Sequence, residues 1–390
     1  MEFRGSKLFL FPFKVSIMKY QSKHPRYLLN TIYSLSLEPN PLNSPLNRII
    51  SIYLPPQYYE DTSTRYPVVY VLHGYDGHAG NWLVMPDLDL ISWQPVKILM
   101  KSIGNGLHID QVPTYKLLDR LIKTHKIPPL ILVQPDASLH IPVKGGLKGL
   151  DGTRSTKGSF YINSPFTGNY SDYIVKDVIR YIDANFRTLS DPSHRVLIGG
   201  SMGGFGALYL GHKYSHLFSA IGALSPANVL LTHFNWEFET PLIARIIGHR
   251  LALKFGKIMF NDILESMDMI FSGDRPLLPT LSFNSLGVLE DYDHVAWQNW
   301  EKYDLLRIYS QDIDKIRSKK IFLSCDPHDE YGLYPFAQDM HFLLERNKIV
   351  HSSFLEEDPR TELSPHIFGI AFKFISALQY CTSHFSNIIK

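Results

Sequence analysis

The sequence predicts an α/β fold: a mostly parallel central sheet with helices on both faces. Continuous apolar runs recur at residues 66–72, 128–133, 195–200, 217–224 and 320–325, as strands buried on both faces do. Helix-like stretches lie between them, the alternation that builds parallel βαβ units. Several runs stop at glycine-bearing or acidic turns, at the strand end where such sheets place their chemistry.

Bulk properties narrow the function. The 390 residues suffice for one large α/β domain or two small ones. We take a single domain over residues 30–390, after an N-terminal extension at 1–29. The hydrophobic share of 45% supports a sizeable core. A net charge of +2 gives no reason to expect a nucleic-acid partner. The 17 histidines are scattered without metal-ligand spacing, so neither a metal nor a cofactor is expected. Two cysteines, Cys325 and Cys381, make no disulfide framework and fit a reducing, cytoplasmic compartment. Residues 7–13 are apolar but too short to span a bilayer, and no small-residue cleavage site follows. They read as an appended segment, with a weak secretory signal the lesser option and Met18 an alternative start. Oligomeric state is not readable.

In chain order, residues 31–55 read as two strands, the second an alternating β-branched run ended by Pro55-Pro56. The run at 66–72 leads into His73-Gly74-Tyr75, a glycine-rich loop whose Tyr75 backbone N–H is expected to point at a reacting oxygen; a plain chain reversal is the blander option. Residues 83–112 read as an insertion. Residues 114–125 form an amphipathic helix with Leu117, Leu118, Leu121 and Ile122 on one face. The strand at 128–133 follows. Residues 145–158 are rich in Gly and Lys but lack a phosphate-loop match, and read as a surface loop. A helix is expected over 171–186, with Asp177 among its buried residues either solvated or anchoring a loop.

The decisive stretch is Gly199-Gly200-Ser201-Met202-Gly203-Gly204, between an apolar strand and a small-residue helix. This is the G-x-S-x-G pattern of a nucleophile elbow, where a sharp strand-to-helix turn projects a serine hydroxyl. Glycine neighbours allow the turn without a Cβ clash. The N–H of Met202, at the positive end of the following helix, is a second expected oxyanion donor. The pattern alone is weak; an ordinary βα turn or a phosphate cradle would share it. The next strand ends at Ser225 rather than at an acid, against a dinucleotide fold.

Residues 228–292 break the alternation and read as a helical cap. Its basic amphipathic part at 241–269 permits contact with a membrane surface, although packing over a pocket fits the same pattern better. The strand at 320–325 is followed by Asp326 and Asp329, and spacing leaves both open as the acid. A helix at 333–347 and a strand at 349–355 lead to Ser364-Pro365-His366, which opens the last helix. His351 lies within a strand and His384 near the chain end, so His366 is the best-placed base. A serine hydroxyl needs such a base, and the imidazole needs a buried carboxylate to fix its tautomer. The order Ser201, acid, His366 is that of α/β hydrolases.

These residues resemble the putative-esterase group of α/β hydrolases, which includes feruloyl esterases, enterochelin-esterase-like proteins, S-formylglutathione hydrolases and mycolyltransferases. The resemblance runs over residues 34–385 outside the insertions. It rests on Tyr53-Leu54-Pro55-Pro56, on residues 66–74, on Asn163-Ser164-Pro165-Phe166-Thr167-Gly168 and on residues 200–208. It implies the α/β-hydrolase fold and a serine esterase that acts on a small-molecule ester. The group's C-G-x-x-D-like turn implies Asp329 as the acid, with Asp326 in place of the glycine. An acyltransferase that passes the acyl group to an alcohol, or an inactive binding protein on the same fold, is the alternative.

Overall fold

The computed structural model describes residues 24–38, 40–75, 77–79, 84–86, 111–141, 155–229, 263, 266–272, 274–280, 282–283, 289–361 and 365–387. Eight strands form the central sheet: β1 (Tyr27–Tyr33), β2 (Asn47–Tyr53), β3 (Val68–Leu72), β4 (Ile131–Pro135), β5 (Arg195–Gly200), β6 (Ala220–Leu224), β7 (Lys320–Ser324) and β8 (His351–Phe354). Their order is β1-β2-β4-β3-β5-β6-β7-β8. The pairs β1/β2 and β2/β4 are antiparallel and all others parallel. The strand order reverses beside β3, whose neighbours β4 and β5 both follow it in the chain. A crevice opens at such a switch point, past the carboxyl ends of the strands.

Strand side chains alternate between the two faces. Val68, Tyr70 and Leu72 join one apolar cluster, Val69 and Val71 the other. The larger cluster includes residues of α2 (residues 170–185), α3 (Met202–Lys213) and α6 (Tyr334–Arg346), with α4 (His294–Glu301) and α5 (Leu305–Gln311). The smaller is closed by α1 (Thr114–Lys123) and α7 (Pro365–Thr382). The buried stripe of α1 is the expected one: Leu117, Leu118, Leu121 and Ile122. Both faces of β3 to β7 are thus covered, which is why those strands read as unbroken apolar runs.

Two differences from the sequence reading stand out. Residues 155–158 are not loop: Ser155–Gly158 pairs antiparallel with Ser138–Ile141. Backbone hydrogen bonds hold a Ser-Thr-Lys-Gly strand that has no apolar alternation to announce it. The strand expected from 217 begins at Ala220, after a 3-10 turn at Ser215–Leu217. Of the two options left open for Asp177 it takes the loop anchor: its carboxylate accepts from the Ser34 hydroxyl at 2.6 Å and from Ser36 N–H at 2.9 Å. The expected insertion at 83–112 lies outside the described residues except at its base, where Val84–Pro86 pairs with Gln111–Pro113. Most of the cap expected at 228–292 also lies outside them, as do residues 1–23 of the extension expected at 1–29; the end of that extension is part of the sheet, because Tyr27–Leu29 begin β1 and pair with Ser51–Tyr53. Among the described residues no helix is long and apolar enough to cross a membrane.

One buried polar tie braces the sheet beneath the crevice. Arg48 on β2 is 1% exposed. It donates to the Asp136 carboxylate at 3.1 Å and to the backbone oxygens of Asp136 and Ser138 at 3.0 and 2.6 Å. Removing one member of a buried pair strands the other charge in a dry site. Arg48→Met should therefore lower stability by about 3–5 kcal/mol in chemical denaturation; a loss below about 1 kcal/mol would show that the tie is dispensable.

Candidate active site

At the end of β5 the chain turns into α3 through Ser201, which has φ 57° and ψ −122°. Such a conformation costs a side-chain-bearing residue on the order of 1–3 kcal/mol and persists only where the surroundings force it. Here glycines make it possible. A Cβ on Gly199 would stand 2.0 Å from the Gly203 carbonyl oxygen, and one on Gly203 2.1 Å from that of Leu72. Three hydrogen bonds pin the turn: Ser201 N–H donates to Leu224 O at 2.9 Å, and Ser201 O accepts from Phe205 and Ala227 at 3.1 Å each. The Ser201 side chain does not cap its own helix. Among the described residues its hydroxyl has no hydrogen-bond partner.

The loop after β3 lies against this turn. A Cβ on Gly74 would be 3.6 Å from the Cβ of Ser201. His73, 1% exposed, holds that loop. Its Nε2 lies 2.9 Å from Ala137 N–H, which can only donate, so Nε2 is the acceptor and the ring proton sits on Nδ1. Nδ1 then donates to Gly74 O at 2.8 Å. Burial pushes the His73 pKa down to about 4 despite the pull of Asp136, so the ring is neutral at ordinary pH. Tyr161 adds a hydrogen bond from its hydroxyl to His73 O at 2.9 Å.

Tyr75 follows, with its phenol bonded to Ser266 at 2.5 Å. Met202 is the first residue of α3, where a backbone N–H has no partner within the helix. Their side chains converge on Gly158, where a Cβ would meet Met202 Sδ at 2.2 Å and the Tyr75 ring at 2.7 Å. The strand at Ser155–Gly158 thus packs against both residues expected to donate to an oxyanion.

His366 sits in the first turn of α7, buried at 6% exposure. Its Nδ1 lies 2.7 Å from Asp329 Oδ2, and the Asp329 side chain is fully buried. The same carboxylate accepts from Tyr331 N–H at 3.0 Å and faces Cys325 Sγ at 3.7 Å. Asp326 is occupied elsewhere: it accepts from His328 N–H at 2.9 Å and Asp358 N–H at 3.3 Å. Burial opposes a charge on His366, but Asp329, by charge and by hydrogen bond, together with Glu330 outweighs it and raises the pKa above the ordinary imidazole value.

Helix packing sets where this imidazole stands relative to Ser201. Ile370 fills the space beside Gly200, 2.6 Å from where a Cβ would be, and Ala377 lies opposite Gly222 in mid-strand. The helix therefore descends from the carboxyl end of the sheet toward its middle. His366, one turn before Ile370, lies about 6 Å further out along the same side of the helix, toward the carboxyl end of the sheet. The other histidines weighed are held away from it. His351 bonds His341 at 2.8 Å, and His384 bonds Ser219 at 3.0 Å.

Two participants were not read from the sequence. Glu330 accepts from the backbone N–H of His366 at 2.8 Å. Its place beside Asp329 was visible, but not a contact spanning 36 residues. The His73 clasp was equally hidden, since the sequence shows a histidine at a turn and not the N–H that fixes its tautomer.

Comparison with known proteins identifies the family. A family model described as "Putative esterase" matches residues 44–330. Esterase Rv1288 of Mycobacterium tuberculosis strain H37Rv is 35% identical over 106 residues, which make up 26% of this chain and 19% of that protein. The chain thus aligns with about a fifth of that relative's length. A ferulic acid esterase structure superposes with a TM-score of 0.54 at 16% identity, covering 92% of this chain and 98% of the other. An S-formylglutathione hydrolase from Agrobacterium tumefaciens gives 0.51 at 15% identity, covering 92% and 94%. At such identities the structural matches speak for the fold alone. The match of the family model, over most of the chain, shows that the chain belongs to the putative esterase family, a serine-esterase family with the α/β-hydrolase fold.

Proposed function

We propose that this chain hydrolyses carboxylic esters with a short acyl or aryl-acyl group through an acyl-enzyme on Ser201. The observation that carries this reading is the His366–Asp329 contact at 2.7 Å, at the start of the helix whose next turn packs Ile370 against Gly200, beside the strained serine turn. His366 Nδ1 faces the carboxylate, so Nε2 is the atom left to serve Ser201. It takes the hydroxyl proton as Ser201 Oγ attacks the ester carbonyl carbon. The oxygen gains charge and is met by the N–H groups of Met202 and Tyr75, each such donor supplying about 3 kcal/mol to the transition state. Collapse breaks the C–O bond, and His366 returns the proton to the departing alcohol. Water, deprotonated by the same imidazole, then frees the acid and restores Ser201. No step calls on a cofactor.

Ser201→Ala should lower kcat on p-nitrophenyl esters by a factor on the order of 10⁶ while the protein stays folded. Activity equal to that of the unaltered enzyme would rule the mechanism out. Extending the panel to feruloyl esters, S-formylglutathione and long-chain acyl esters defines the acyl group. An added alcohol separates hydrolysis from acyl transfer.

The base must be neutral to accept a proton, so kcat/KM should fall as pH drops through the His366 pKa. Because that pKa is raised, the midpoint of the acid limb should lie above about 6.5. Asp329→Asn removes the carboxylate charge that holds it up. The midpoint should move to lower pH, with kcat down by about 10⁴. An unmoved midpoint would contradict the assignment of Asp329 as the partner of the base.

A further inference from the structure

We propose that Glu330 is a positioning residue for the base, gripping the main chain of His366 while Asp329 grips its ring. This inference rests on the reading of His366 as the base of Ser201. Three consecutive residues after β7 hold one histidine at three points. Asp329 Oδ2 is 2.7 Å from Nδ1. Glu330 Oε2 accepts from the backbone N–H at 2.8 Å. The Tyr331 ring lies against the imidazole, with centroids 4.6 Å apart at 56°.

The second of these contacts is unusual in its chemistry. His366 is the second residue of α7, so its N–H is among the donors left without a partner inside the helix. A carboxylate from another element fills that place. An anion at a helix N-terminus is favoured by the helix dipole, and a charged acceptor makes a short, strong bond. The bond fixes the height and angle of the turn that carries the imidazole, in a site where small displacements cost much of the rate.

Glu330 also brings a second negative charge to the imidazole. Among the described residues, the charged groups that act on His366 are Asp329 and Glu330, both from the loop after β7. On its own helix the nearest cation is Lys373, which pairs with Asp358 at 3.3 Å. Both carboxylates favour the imidazolium that forms when Ser201 gives up its proton.

Two variants separate the grip from the charge. Glu330→Gln keeps an oxygen acceptor and loses the charge; Glu330→Ala loses both. The His366 ring is titrated by NMR in the Ser201→Ala background with and without each change, and kcat, KM and the acid limb are measured with Ser201 present. Both variants should lower the His366 midpoint. Glu330→Ala should lower kcat about tenfold or more with KM within about twofold, and Glu330→Gln should recover most of that loss. A His366 midpoint unmoved in both variants, or a kcat lost only in step with melting temperature, would overturn the proposal. The NMR arm reads Glu330 whether or not Ser201 is the nucleophile. A failure of the Ser201 mechanism, shown by a Ser201→Ala protein that still turns over ester, is thereby kept apart from a failure of this one.

Discussion

The structure depends on how closely β5 and α3 approach β3 at the elbow. Any side chain at Gly199 or Gly203 would collide with main-chain oxygen, at about 2 Å in each case. Backbone cannot rotate away as a side-chain tip can, so the approach requires glycine at both places. That approach forces Ser201 to φ 57° and presses the loop after β3 against the serine. The projecting serine, the first helical N–H at Met202 and the neighbouring loop of Tyr75 all follow from it. The strain at Ser201 is offset by the sheet and helix on either side.

Around this turn the two key histidines are tuned in opposite directions. His73 is buried against a backbone N–H donor and a backbone acceptor, and it stays neutral with one tautomer. His366 is also buried, but two carboxylates face it and its charged form is favoured. The first suits a permanent fastening, the second a proton carrier. Burial alone would make them alike; placement of acidic groups makes them differ. Asp136 lies 4.0 Å from His73, but Arg48 already engages it and Ser138 bonds it, which leaves it less able to charge the ring.

Much of this was legible in the sequence, because the signals were local. Strands β3 to β7 are covered on both faces, and continuous apolar runs announce that. Gly199, Gly203 and the serine between them announce the turn because an apolar strand precedes them and a small-residue helix follows. Pro365 marks the start of α7 just before His366. What escaped was tertiary. Ser155–Gly158 is a strand only because Ser138–Ile141 offers it a partner. Spacing could not separate Asp326 from Asp329. In the structure hydrogen bonds separate them, for one accepts from its own turn and from Asp358, and the other accepts from His366. The resemblance to a family favoured Asp329 for reasons spacing lacks.

The central claim is that Ser201, and no other hydroxyl, becomes covalently attached to the acyl group. An organophosphorus serine reagent captures such a nucleophile, and the modified peptide can be identified by mass spectrometry. A single adduct on the peptide that carries Ser201, formed much more slowly when His366 is replaced by Ala, is the predicted result. No adduct, an adduct on another residue, or capture at the same rate without His366 would contradict it.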